Sequence, residues 1–120
     1  MLRPVIHILL HLLIPAIVAR LAYPARWQYV WLLMVATMLV DLDHLLAVPL
    51  YDPDRCSIGF HPLHTLPAIV VYIVIFFIPK LRIISVGLLI HMALDTLDCV
   101  WMGKFNIETF VTSSWPFLHW

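Results

Sequence analysis

Four apolar runs occupy most of this chain. Residues 4–21, 27–48, 65–78 and 81–102 are built largely from Leu, Val, Ile, Ala, Met and aromatic residues. Crossing the hydrocarbon of a bilayer takes about 20 such residues in a helix. The polar face that a helix needs on a water-soluble domain is missing from these runs. In 120 residues that are 63% hydrophobic and 12% charged, four such helices leave room for little else. The expected architecture is a single domain over residues 1–120: an all-α membrane protein with four transmembrane helices and a C-terminal interfacial segment.

The punctuation between the runs fits. Pro4 suits a first helical turn, where no N–H is needed. Pro15 is placed to kink the first helix. Trp27, Tyr29 and Trp31 form an interfacial belt at the start of the second helix, and Pro49 ends it. Residues 50–64 make the one substantial loop, with two prolines, a glycine and mixed charge. Thr65 and Pro67 read as the N-cap and first turn of the third helix. Gly103 reads as the C-cap of the fourth. In the tail, Phe110, Trp115, Phe117 and Trp120 are expected to anchor in the interface. The first run lacks a small-x-small cleavage site before Tyr23, so it is read as a retained helix.

Inside these runs lie side chains that a bilayer does not accept cheaply. An ionisable group at membrane depth costs several kcal/mol unless paired, hydrated or bound to a metal. His7 and His11 are spaced i,i+4 on the first helix. Asp41 and His44 are i,i+3 on the second, with Asp43 adjacent. His61 and His64 lie in the loop leading into the third. His91, Asp95 and Asp98 are i, i+4, i+7 on the fourth, one continuous stripe. If the chain alternates sides, the start of the first helix, the end of the second, the start of the third and the end of the fourth share one side. Every set falls in that half. Scattered polar residues would not often do this, so the expectation is one shared site near one membrane face.

A lone membrane histidine is usually just packed and hydrogen-bonded, and His–Asp pairs without metal can relay protons. Charge balance favours metal for the full set. Four carboxylates in apolar surroundings need positive charge nearby, and no Lys or Arg is read on those faces within two turns. Carboxylate plus imidazole is a ligand set for zinc, manganese or iron. The expected ligands are His7, His11, Asp41, Asp43, His44, His61, His64, His91 and Asp95, holding one or two divalent ions, zinc first. Asp52 and Asp54, beside Arg55, read as a solvated turn. DLD is a poor calcium loop, because apolar Leu45 and Leu46 follow where oxygen ligands should be.

DLDH (41–44), HPLHT (61–65) and HMALD (91–95), in that order on hydrophobic segments, resemble the LexA-binding, inner-membrane metal-dependent hydrolase-like proteins. They resemble even more a related uncharacterised family of short bacterial membrane proteins. The middle motif departs from the larger family's, with tighter histidine spacing and no arginine. A more distant similarity is to zinc-dependent phospholipase C and P1-type nucleases, whose Asp, later His, and His-x-x-x-Asp order is matched by Asp43, His64, His91 and Asp95. These resemblances imply a metal-dependent hydrolase of the bacterial inner membrane, with an aspartate such as Asp95 able to bridge two metals.

The expected activity is hydrolysis of a phosphate ester in a lipid or isoprenoid headgroup, with membrane lipids as surroundings. Asp41 or Asp98 would serve as general base or orient a ligand histidine, and Arg55 would grip the phosphate. The alternative is a non-enzyme: a structural metal site, or a metal or proton translocator. An open coordination position discriminates between catalytic and structural metal. Polar residues in the other half, only Thr37 and Ser85, count against translocation. Nothing suggests nucleic acid, and a homo-oligomer is left open. Arg20, Arg26, Lys80 and Arg82 against Arg3, Arg55 and Lys104 bias the short turns toward the cytoplasm. The site would then face the periplasm or exterior, where Cys56 and Cys99 could pair.

Overall fold

A computed structural model describes residues 2–113. Trp115, Phe117 and Trp120, expected as interfacial anchors, lie outside the described residues. Helix α1 (Leu2–Ala22) is continuous, with Pro15 buried inside it. After a 3-10 turn at Pro24–Arg26 comes α2 (Trp27–Ala36), followed by a 3-10 helix over Thr37–Leu46. The loop leads through a second 3-10 turn at Pro62–His64 into α3 (Leu66–Ile75). Then come α4 (Arg82–Trp101) and the short α5 (Ile107–Ser113). Among the described residues the chain is helical or irregular throughout, with no strand. Three helical stretches, Leu2–Ala22, Pro24–Leu46 and Pro79–Trp101, are long and apolar enough to cross a membrane, whereas Leu66–Ile75 is shorter.

The second run departs from the expectation of one α-helix to residue 48. Its second half has three residues per turn, so side chains three apart eclipse one another. The burial pattern follows that period. Thr37, Val40 and Asp43 are buried, Met38, Asp41 and His44 are half-buried, and Leu39, Leu42 and Leu45 are exposed. The segment is a three-sided prism, with one side buried, one half-buried and one outward, and the first two carry its acids, Asp43 and Asp41.

Two apolar clusters hold the bundle, one near each end. Ala19, Val30 and Met34 pack with Trp27, Trp31, Ile83 and Val86, joining the end of α1 to the starts of α2 and α4. Val40, Ile58, Tyr72, Met92 and Cys99 pack with Ala68, Phe105 and Phe110 at the other end. Between them, α4 crosses α2 closely at Gly87. A Cβ there would lie 2.9 Å from Met34 Cα and 3.0 Å from the Thr37 side chain, so only glycine fits without moving a helix.

The caps are partly as expected. Gly103 has φ +69°, with its N–H on Val100 O and the Lys104 N–H on Cys99 O, a Schellman closure. Thr65 does not cap α3. Its hydroxyl donates instead to Pro62 O at 2.8 Å. Asp52 accepts the Asp54 N–H at 2.9 Å, the solvated turn read from the sequence. Cys56 and Cys99 are disulfide-bonded, tying the loop to α4.

Candidate metal centre

All nine expected ligands converge. α1 brings His7 and His11 on one face, the 3-10 helix brings Asp41, Asp43 and His44, the loop brings His61 and His64, and α4 brings His91 and Asp95. They form three groups: Asp41, His64, His91 and Asp95; His7, His11 and Asp95; and Asp43, His44 and His61. His11, Asp43, His61, His64, His91 and Asp95 are all buried.

The first group is compact. Asp41 Oδ1 lies 3.2 Å from His64 Nε2 and 3.1 Å from His91 Nε2. Asp95 Oδ2 lies 3.0 Å from His64 Nε2 and 3.3 Å from His91 Nε2. The two imidazole nitrogens are 3.3 Å apart. The fit of these donors to a metal can be tested by length. Ligands about 2.0–2.1 Å from a tetrahedral zinc are separated from one another by about 3.3 Å. Five of the six edges of this group therefore match a tetrahedron of that size.

The second group shares Asp95 with the first. Its other oxygen, Oδ1, lies 3.1 Å from His7 Nε2 and 3.3 Å from His11 Nε2. His11 Nδ1 sits 2.8 Å from the His7 carbonyl oxygen. A donor there carries the proton, which leaves Nε2 as the free lone pair. That buried Nε2 has no hydrogen-bond partner among the described residues, and neither have His61 Nδ1 and His91 Nδ1. Buried nitrogens without partners are costly, and for His11 Nε2 a cation beside Asp95 resolves the cost.

Asp43 stands behind the first group. Its Oδ2 accepts from His64 Nδ1 at 2.9 Å and from the Leu63 N–H at 2.9 Å, while its Oδ1 is 3.1 Å from His44 Nδ1. A carboxylate on the far nitrogen of a histidine fixes its tautomer and aim. Burial disfavours the charged His64 ring, yet hydrogen bonds to Asp41, Asp43 and Asp95 outweigh it and push its pKa up to about 11. Three carboxylates around one ring favour positive charge at that point, which the ring's own proton or a bound cation can supply. His61 is the opposite case. Burial and the neighbouring His44 bring it down to about 4, and its ring stacks on His44 at 3.7 Å.

One expectation is corrected. Arg3 does lie on the site: its Nη1 donates to Asp98 Oδ1 and Oδ2 at 2.8 and 2.7 Å, and its Nη2 donates to Pro53 O at 2.6 Å. The sequence carried the signal, because Arg3, His7 and His11 are spaced i, i+4, i+8. Asp98 is thus ion-paired to Arg3, with His7 Nδ1 3.9 Å from its Oδ1. Arg55 hydrogen-bonds Pro49 O at 2.9 Å and lies over the Phe60 ring at 4.7 Å. Ser57, passed over in the sequence, has Oγ 3.4 Å from His44 Nε2. A cavity of about 230 Å3 opens beside the groups, lined by Arg3, His7, Asp41, Arg55, His61 and Asp95 among others.

Fold and site together define an all-helical protein with membrane-length apolar helices and buried His/Asp groups able to hold a metal ion. The chain belongs to a family of unknown function, DUF6122, whose family model matches residues 1–102. No curated protein and no solved structure matches it.

Proposed function

We propose that this protein is a membrane-embedded metal-dependent hydrolase acting on a phosphate ester of a lipid or isoprenoid headgroup. The observation that carries the reading is the different completeness of the two groups joined by Asp95. The first has four protein donors, as structural zinc sites do. The second, His7, His11 and Asp95, has three, as catalytic sites do, and His7 and Asp95 line the open cavity. A divalent ion held there would activate water for attack on phosphorus.

The protein's own groups supply the rest. Asp41 faces the first group through Oδ1 and lines the cavity, so its second oxygen can take the proton from water. Arg55 borders the same cavity with guanidinium N–H groups to spare for phosphate oxygens. Asp98, held by Arg3, orients α1 against α4 rather than moving protons. The order of motifs resembling the LexA-binding, inner-membrane hydrolase-like proteins supports the same reading.

The fold supports four passes through a bacterial inner membrane, since the short α3 must carry the chain from His64 at the site back to the Ile83 cluster. The Cys56–Cys99 bond favours a site on the oxidising, exterior side. Thr37 and Ser85 are tied to backbone carbonyls, of Met34 and Tyr72, which counts against a translocator's polar route through this half.

The test is a screen of phosphomonoester, phosphodiester and lipid-phosphate substrates on metal-loaded protein, alongside elemental analysis. Turnover should vanish in His7→Ala and His11→Ala while about one metal per chain remains. Unchanged turnover in both, or protein that is metal-free as purified and indifferent to chelator, overturns the reading. If metal is present and stabilises the fold but no substrate turns over, the four-donor group is a structural site and the enzyme claim fails.

A further inference from the structure

The end of the bundle opposite the metal centre carries an unassigned feature. An apolar groove of about 350 Å3 runs along α1, lined by Leu13, Ala16, Ile17, Leu21 and Trp27, and Arg20 lies at its edge. Leu13, Ile17 and Leu21 are i, i+4, i+8 and exposed, forming a ridge. Small Ala16 leaves the floor low. The Arg20 guanidinium lies over the Trp27 ring at 5.2 Å, and Trp is a residue enriched where membrane helices meet lipid headgroups.

Charge separates the two ends. Arg20, Arg26, Lys80 and Arg82 all fall at this end, whereas the seven acidic residues are at 41–54, 95–98 and 108, on the metal-centre side or beyond it. The net charge of zero is thus four positive charges at one end against a surplus of four negative at the other, three bases with seven acids. The groove's apolar lining suits an acyl chain, and Arg20 in its wall suits a negative headgroup.

We infer that this groove is a binding site for one anionic phospholipid, its acyl chain along Leu13, Ala16 and Ile17 and its phosphate on Arg20. A neutral lipid would gain the apolar contact without the charge. A cation close to anionic lipid is worth about 1 kcal/mol, which reads as about a fivefold preference.

The experiment is native mass spectrometry of the full chain from a neutral detergent, offered phosphatidylglycerol or phosphatidylcholine of identical acyl chains. One phosphatidylglycerol per chain should be retained, about fivefold over phosphatidylcholine. Arg20→Gln should erase the preference, and Ala16→Trp should lower retention of both lipids by filling the floor. Arg20→Lys, which keeps the charge, should keep the preference, and unchanged helical circular dichroism will show that each variant is folded. Equal retention of the two lipids by the wild type overturns the inference. So does a preference that survives Arg20→Gln, retention that survives Ala16→Trp, or a chain that dimerises through this face and retains no lipid.

Discussion

The two ends of the bundle solve the problem of burial in opposite ways. Around Ala19, Val30 and Met34 the interior is apolar, and its few hydroxyls are absorbed by neighbouring backbone carbonyls. Around Asp95 the interior is made of carboxylates and imidazoles, several of whose nitrogens find no partner among the described residues. The first end is complete as folded. The second has the geometry of a site that is completed by something bound. Its stability should therefore depend on what is added to the solution, and that of the other end should not.

The largest effect should come from Asp95→Ala. It removes a donor from both groups and leaves four histidines without their shared anion. Breaking such a buried charged network typically costs about 3–5 kcal/mol, and elemental analysis should show metal falling toward none. A metal ratio equal to the wild type's would erase the distinction between the ends. Next is the double change Cys56→Ser with Cys99→Ser, which frees the loop carrying His61 and His64 from α4. A loss of about 2–4 kcal/mol in thermal or denaturant unfolding is expected, with weaker metal retention. Unaltered metal affinity would show that the loop's remaining ties, Arg3 to Pro53 O and Asp43 to the Leu63 N–H among them, hold it in place.

Asp43→Asn should be milder. The residue touches the far nitrogen of His64 rather than the first group itself, so metal affinity should fall about 10–100-fold with the helical content intact. A competition titration against a chelator measures it. Loss of the metal altogether would place Asp43 among the ligands. The smallest effect belongs to the other end: Ser85→Ala deletes one buried hydroxyl that donates to Tyr72 O. It should cost about 1 kcal/mol and leave metal content untouched. A change in metal content would mean that the two ends are coupled along α4.

Much of the site was legible because helical spacing and alternation of direction are both written in sequence. His7 with His11, and His91 with Asp95, each share a helix face, and the order of helices places those faces at one end. The partition into groups was not legible. It depends on which oxygen of Asp95 faces which ring, a matter of side-chain rotation that no spacing encodes. Arg3 was readable from its distance to His7, but a basic residue at the start of an apolar run looks like an interfacial anchor. The 3-10 geometry was hidden for another reason. An apolar run is compatible with either helix type, and only the Leu39, Leu42, Leu45 triplet hints at a period of three.

That period gives residues 37–46 a property an α-helix does not have. With three residues to the turn, each side of the prism is defined by a whole number, so the segment behaves like a reading frame. Deleting one residue before Asp41 would move every following side chain by a third of a turn, setting leucines where Asp41 and His44 now stand and turning Asp43 outward. Deleting three would restore the assignment and shorten the segment by about 6 Å. The inward aim of its two acids is thus tolerant of changes in length by full turns and intolerant of any other.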